Sequence, residues 1–175
     1  MRKVILLTCL IAVIAIPYDF IWAKGGLEPG LGFPAGYMDF SFDASIYQRI
    51  PIINRGDIEF RLQGSFATKG DGYKGRLFNI VASSYILGRY VVATYIDDIT
   101  PYVSPGAGFH FIRSWANKKS PLTGMPQTTL TTKAHIFYGM EYNLSGKNYL
   151  VFQGRMTYPS DILFDLWFLG VGVRL

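Results

Sequence analysis

From residue 37 to the C-terminus, apolar and polar side chains change places at every second position, in stretches of about ten residues. "YMDFSFDASIY" (37–47) sets Met38, Phe40, Phe42, Ala44 and Ile46 against Tyr37, Asp39, Ser41, Asp43, Ser45 and Tyr47. "GDIEFRLQGSFA" (56–67) repeats the scheme, with Ile58, Phe60, Leu62 and Phe66 opposite Glu59, Arg61, Gln63 and Ser65. A period of two places successive side chains on opposite faces of an extended chain. Beyond the first 23 residues no run of 18 apolar residues occurs, so no helical membrane span is expected although 50% of the chain is hydrophobic.

The same alternation continues toward the C-terminus. Tyr102, Ser104, Gly106, Gly108 and His110 share one row, as do Lys133, His135, Phe137, Gly139, Glu141 and Asn143. Tyr149, Val151, Gln153, Arg155 and Thr157 form another, followed by Phe168, Gly170, Gly172 and Arg174. "LFNIVASSYIL" (77–87) and "RYVVATYI" (89–96) are more uniformly apolar, and they read as two strands split at Gly88-Arg89 whose facing is not legible. The expectation is about eight strands in an up-and-down order. "SGKN" (145–148) marks a tight turn, whereas the polar residues 114–131 mark a long loop. Residues 24–36, rich in Gly and Pro, are expected as an irregular leading arm, and residues 37–175 as the folded domain.

Alternation alone fits a soluble barrel with its apolar row inside. Only 17% of the residues are charged and 16% are aromatic, which suits an outer surface bathed in hydrocarbon. An arginine facing lipid at the midplane costs about 2–4 kcal/mol, so Arg61 and Arg155 are expected to point inward. An interior charge network of Asp39, Asp43, Glu59, Arg61, Glu141 and Arg155 would then fill the lumen, the alternative being that Glu59, Arg61, Glu141 and Arg155 line a conducting pore, and ring closure would satisfy every backbone group that lipid cannot. The fold class is therefore all-β, a closed antiparallel transmembrane β-barrel. The inward glycines leave two readings open: they admit neighbouring rings, or they form a pocket.

Residues 1–23 read as an export signal: Arg2 and Lys3 precede the apolar run Val4–Ile16, and Ala23 offers a small residue before a cut. An uncleaved anchor and lipid attachment at Cys9 are the alternatives. Cleavage would leave 15 basic and 11 acidic residues and no cysteine. The resulting charge of about +4 lacks the dense basic patches of nucleic-acid binders, so nucleic acid is not expected as a partner. Export and the barrel together place the chain in the outer membrane of a Gram-negative-type bacterium.

The stretches "TPYVSPGAGFHF" (100–111) and "YGMEYNLSGKNYLV" (138–151) and the ending "LGVGVRL" resemble the small outer-membrane barrels typified by the OmpA transmembrane domain and OmpX. That resemblance covers about the last 75 residues. It implies a non-enzymatic role in envelope structure or surface interaction, with outer-membrane lipid and lipopolysaccharide as surroundings. It also implies that the C-terminal strand is read by the barrel-assembly machinery, although Leu175 stands where phenylalanine is usual.

A more distant resemblance is to lipid A 3-O-deacylase barrels. It would imply a hydrolase whose hydroxyl nucleophile lies beside an imidazole. The matching stretch "RMTYPSD" (155–161) has no histidine next to Ser160, so a lipid-A-modifying enzyme would need His110 or His135 to serve Ser104 or Ser160 across the lumen. A barrel that holds a small apolar ligand is a third reading. Two histidines without a Cys or Asp spacing make no recognisable metal site, and no cofactor motif is present. Arg113, Lys118 and Lys119, at the long loop, are the candidates for contact with lipopolysaccharide phosphate or an unknown surface partner.

Overall fold

The computed structural model describes residues 24–34, 39–70, 76–92, 96–116, 127–160 and 164–175. The export signal at residues 1–23 and the loop lysines Lys118 and Lys119 lie outside the described residues. Eight antiparallel strands follow one another around a closed barrel: β1 (Lys24–Pro34), β2 (Phe40–Ile53), β3 (Gly56–Gly70), β4 (Arg76–Val91), β5 (Ile99–Ala116), β6 (Gln127–Ser145), β7 (Asn148–Tyr158) and β8 (Leu166–Arg174). The first and last strands close the ring, with Gly26 opposite Arg174 and Phe33 opposite Trp167.

The strands are tilted. Following the ladder from Tyr158 through Ala134, Ala107, Ile86, Phe60 and Gln48 to Gly25 runs from the end of β7 to the start of β1. Such a stagger is what closure of a sheet into a cylinder demands. Both chain ends share one rim with the β2–β3 and β6–β7 turns. Arg55 (φ 65°) and Gly146 (φ 55°) take left-handed backbone in those turns, and the second position needs a residue that adopts it without strain.

The count of eight agrees with expectation, but its members differ. The Gly/Pro-rich residues 24–34 are not an irregular arm; they form β1 and supply the closing seam. Glycines at 26, 30 and 32 face inward, where side chains from neighbouring strands fill the space that a Cβ would take. The expected split at Gly88-Arg89 is likewise absent. Residues 76–91 run as one strand, because Gly88 faces outward and the ladder to β3 continues unbroken through it.

Parity decides the two surfaces. Ile46, Phe60, Ile86, Phe109, Ile136, Phe152, Leu169 and Leu31 are exposed on the outside, one from each strand, while the charged rows are buried. The inward glycines serve packing: a Cβ on Gly172 would meet the Tyr149 ring, one on Gly170 the Phe168 ring, and one on Gly108 the Tyr85 ring. Tall aromatic side chains therefore lie across the lumen instead of leaving it open.

Candidate functional site: the barrel interior

The half of the interior nearest the chain ends is an ionic lattice. Glu28 of β1 is completely buried; its Oε2 accepts from Arg61 Nη1 at 2.6 Å and its Oε1 from the Tyr149 hydroxyl at 2.7 Å. Tyr149 is held in turn by the Tyr47 hydroxyl at 2.8 Å. Glu59 accepts from Arg61 Nε at 2.7 Å and from Arg49 Nε at 2.6 Å. Glu141 collects three arginines: Arg49 Nη2 at 2.8 Å, Arg89 Nη2 at 3.0 Å and Arg174 Nη2 at 3.2 Å. Asp57 lies 3.6 Å from Arg89.

Rings floor this lattice. The Arg49 guanidinium stands 4.1 Å from the Tyr47 ring centre, Arg89 4.6 Å from Tyr102 and Arg174 4.6 Å from Tyr149. Four cations therefore face Glu28, Glu59, Glu141 and Asp57, and the buried charges balance. Paired charges of this kind are tolerated where no water reaches them because nearly every oxygen and N–H has a partner; the buried Arg89 Nε is the exception in the lattice.

The half nearer the longer connections is built differently. Asp43 accepts from Ser41, Ser65 and, at 2.8 Å, from Gln63 Nε2. Among the described residues Arg155 meets no carboxylate. Its Nη1 donates to Gln63 Oε1 at 3.0 Å and to the Tyr85 hydroxyl at 2.7 Å, and its Nε donates to the Phe164 carbonyl at 2.6 Å. Gln63 thus relays between a carboxylate and a guanidinium that do not touch.

Above Arg155 a chain of four side chains crosses the lumen. Ser83 Oγ lies 2.8 Å from His110 Nδ1, His110 Nε2 lies 2.8 Å from His135 Nε2, and His135 Nδ1 lies 3.4 Å from Thr157 Oγ1. The Phe164 ring covers His110 at 4.2 Å between centres. A cavity of about 20 Å³ remains beside Ser41, Ser65, Asn79, Ser83, Arg155 and Phe164, room for a water molecule and not for an acyl chain.

Of the expected network, Glu59, Arg61 and Glu141 lie in the lower lattice, with Arg49 bridging the two glutamates. Arg155 and Asp43 lie in the upper half, each without an ionic partner among the described residues, so the expected direct pairing is corrected there. Asp39 does not enter the lumen. It is exposed at the rim, one residue before β2 begins, where its backbone N–H still donates to the Thr68 carbonyl of β3. Arg113 is exposed on the outer row of β5.

The two histidines, scattered in sequence, touch each other, yet neither meets the serines that a hydrolase would need. Ser160 donates to Asp165 Oδ2 at 2.8 Å, and the buried Ser104 hydroxyl has no partner among the described residues. The serine that does reach His110 is Ser83, which the sequence does not single out. No group of three or more His, Cys, Asp or Glu that could hold a metal ion occurs among the described residues.

Sequence reasoning misses Glu28, Arg49, Arg89 and Arg174 as network members. Arg49 carries a readable signal, since it continues the inward row Asp43, Ser45, Tyr47. Glu28 is hidden in the supposed arm, and Arg89 by the supposed break.

No protein-family model and no curated protein matches the chain. Solved structures do. The outer membrane protein OprG of Pseudomonas aeruginosa superposes with a TM-score of 0.53 at 10% identity, over 87% of this chain and 94% of that one. A major outer membrane protein of Thermus thermophilus gives 0.52 at 16% identity, over 87% and 99%. The N-terminal β-barrel domain of Pseudomonas aeruginosa OprF gives 0.51 at 20% identity, over 87% and 97%. The chain has the fold of the small outer-membrane β-barrels. At these identities the likeness speaks for the barrel alone, and the ionic lattice and histidine chain are described from this chain's own residues.

Proposed function

We propose that the protein is a non-enzymatic barrel of the outer membrane of a Gram-negative-type bacterium, acting in envelope structure or surface contact through its loop end. The reading includes export by cleavage of residues 1–23 and delivery to the barrel-assembly machinery through the C-terminal strand. The observation that carries it is the filled interior. Arg49, Arg61 and Arg89, locked onto Glu28, Glu59 and Glu141, block the lower lumen, and Arg155 with Phe164 blocks the upper one. The 20 Å³ cavity beside Arg155 and Phe164 has no room for an ester substrate.

The test is electrical. Purified barrel inserted in a planar lipid bilayer is expected to give no discrete conductance steps at neutral pH. Reproducible steps of one size would show a conducting pore and refute the reading.

A further inference from the structure

Two histidines from different strands meet tip to tip in the upper lumen. His110 Nε2 of β5 lies 2.8 Å from His135 Nε2 of β6, and each ring is tied back through its other nitrogen, His110 to Ser83 of β4 at 2.8 Å and His135 to Thr157 of β7 at 3.4 Å. Both rings are buried. A bond between two ring nitrogens needs the hydrogen on one and a lone pair on the other.

That requirement limits how many protons the pair can hold. With both rings neutral, Ser83 donates to His110 Nδ1, His110 Nε2–H donates to His135 Nε2, and His135 Nδ1–H donates to Thr157, or the whole chain runs in reverse. One added proton is accommodated: it binds His110 Nδ1, and the Ser83 hydroxyl turns from donor to acceptor. A second finds only the lone pair of His135 Nε2. Two N–H groups then point at each other across a distance that only a hydrogen bond makes favourable.

The neighbouring groups oppose that second proton. Lys133 of β6 and Arg155 of β7 are the cations that face His135. From β4 the Tyr85 ring stands edge-on to both imidazoles, 5.4 Å from His110 and 5.2 Å from His135, and its hydroxyl accepts from Arg155. Asp165, just before β8, is engaged by the Thr157 N–H at 2.7 Å and by Ser160, and Asp43 of β2 is linked to Arg155 through Gln63 of β3. Phe164 closes the space over His110. Two imidazoliums would therefore join two cations in a packed interior.

We propose that the His110–His135 pair is an acid-operated switch: in acid a second proton parts the two rings and lets water into the upper lumen, while the ionic lattice below stays closed. The parted state binds one proton more than the joined one, so it gains as pH falls. Parted rings in water titrate near the ordinary imidazole value of about 6.5, and each pH unit below that favours the parted state about tenfold.

Val81, on the inner row of β4, packs with Phe164 and lines the small upper cavity. Cys9 is the chain's only cysteine and lies in the export signal, so the barrel without residues 1–23 that carries Val81→Cys has a single thiol. In lipid vesicles that thiol is titrated with 4,4′-dithiodipyridine, which reacts in acid, and the rate is scaled to free cysteine at the same pH. The scaled rate is expected to rise at least a hundredfold between pH 7 and about pH 4. Adding His110→Gln and His135→Gln, which keep hydrogen-bonding side chains and remove both imidazoles, is expected to leave it flat. A flat profile with both histidines present, or the same rise without them, would overturn the switch. Folding is checked by the gel shift between unheated and heated samples. If the doubly substituted barrel shows no shift, His135→Gln alone takes its place, and a rise equal to that of the intact pair again refutes the proposal.

Discussion

Replacing Arg61 by methionine keeps the unbranched apolar stem of the side chain and removes its charge and donors. Two carboxylates lose their short contacts at once, Glu28 at 2.6 Å and Glu59 at 2.7 Å, and both are essentially sealed from water. Glu59 keeps Arg49 at 2.6 Å, but Glu28 is left with the Tyr149 hydroxyl, a weak Ser45 contact at 3.4 Å and Arg49 at 3.9 Å. Breaking one member out of a buried pair costs about 3–5 kcal/mol, because the survivor stays charged and unpaired.

Arg155→Met is the control. It strands three neutral acceptors, Gln63 Oε1, the Tyr85 hydroxyl and the Phe164 carbonyl, and no carboxylate. Losing neutral partners is offset in part by removing an enclosed guanidinium that has no counter-ion, so the net cost is expected below about 2 kcal/mol.

Equilibrium urea unfolding in lipid vesicles, followed by tryptophan fluorescence at neutral pH, measures both. A cycle with Glu28→Gln isolates the Arg61–Glu28 coupling, expected at about 1–3 kcal/mol. If Arg155→Met proves as costly as Arg61→Met, or the cycle shows no coupling, the division into an ionic lower half and a neutral upper half is wrong.

Two further substitutions in pairs test packing and orientation. A Cβ at Gly172 would overlap the ring of Tyr149, which Glu28 and Tyr47 hold in place, whereas Gly64 faces outward with nothing within 4 Å. Gly172→Val is therefore expected to prevent closure, seen as loss of the heat-dependent gel shift, while Gly64→Val folds normally; equal behaviour would refute the packing. Ile86→Arg places a charge near the middle of the outer wall and Leu130→Arg places one near the loop end. The first is expected to destabilise the inserted barrel by about 2–4 kcal/mol and the second by about 0–1 kcal/mol, and indifference to depth in urea titrations would contradict a lipid-facing wall.

The alternation was legible wherever polar residues were large and charged, as in Glu59 and Arg61, because a wrong face there costs several kcal/mol. It failed at residues 24–34, where glycine on the inward row removed the contrast and proline mimicked a loop. In 76–91 the inward row includes Val81 and Leu87, apolar side chains that lie against other interior groups, so both faces looked alike. Strand number survived because one strand was overlooked and another was divided. The interior network was legible as a class of residues and not as a set of pairs. Which arginine meets which acid depends on stagger, and stagger is a property of the closed ring that single strands do not encode.

That stagger also gives the lattice a mechanical role. The β1–β8 seam is where a barrel is most easily breached, since no hairpin joins its strands. Here Pro29 cannot donate a ladder hydrogen bond, and the pairing to β8 passes from Leu27 to Gly30 without Glu28 or Pro29. The side chain at that gap is Glu28, and it reaches Arg61 on β3 and Tyr149 on β7. A carboxylate anchored on both sides of the lumen holds β1 against the wall where its backbone cannot. The charge hidden in the supposed arm is placed at the seam's missing rung, and its loss should loosen β1 before any other strand.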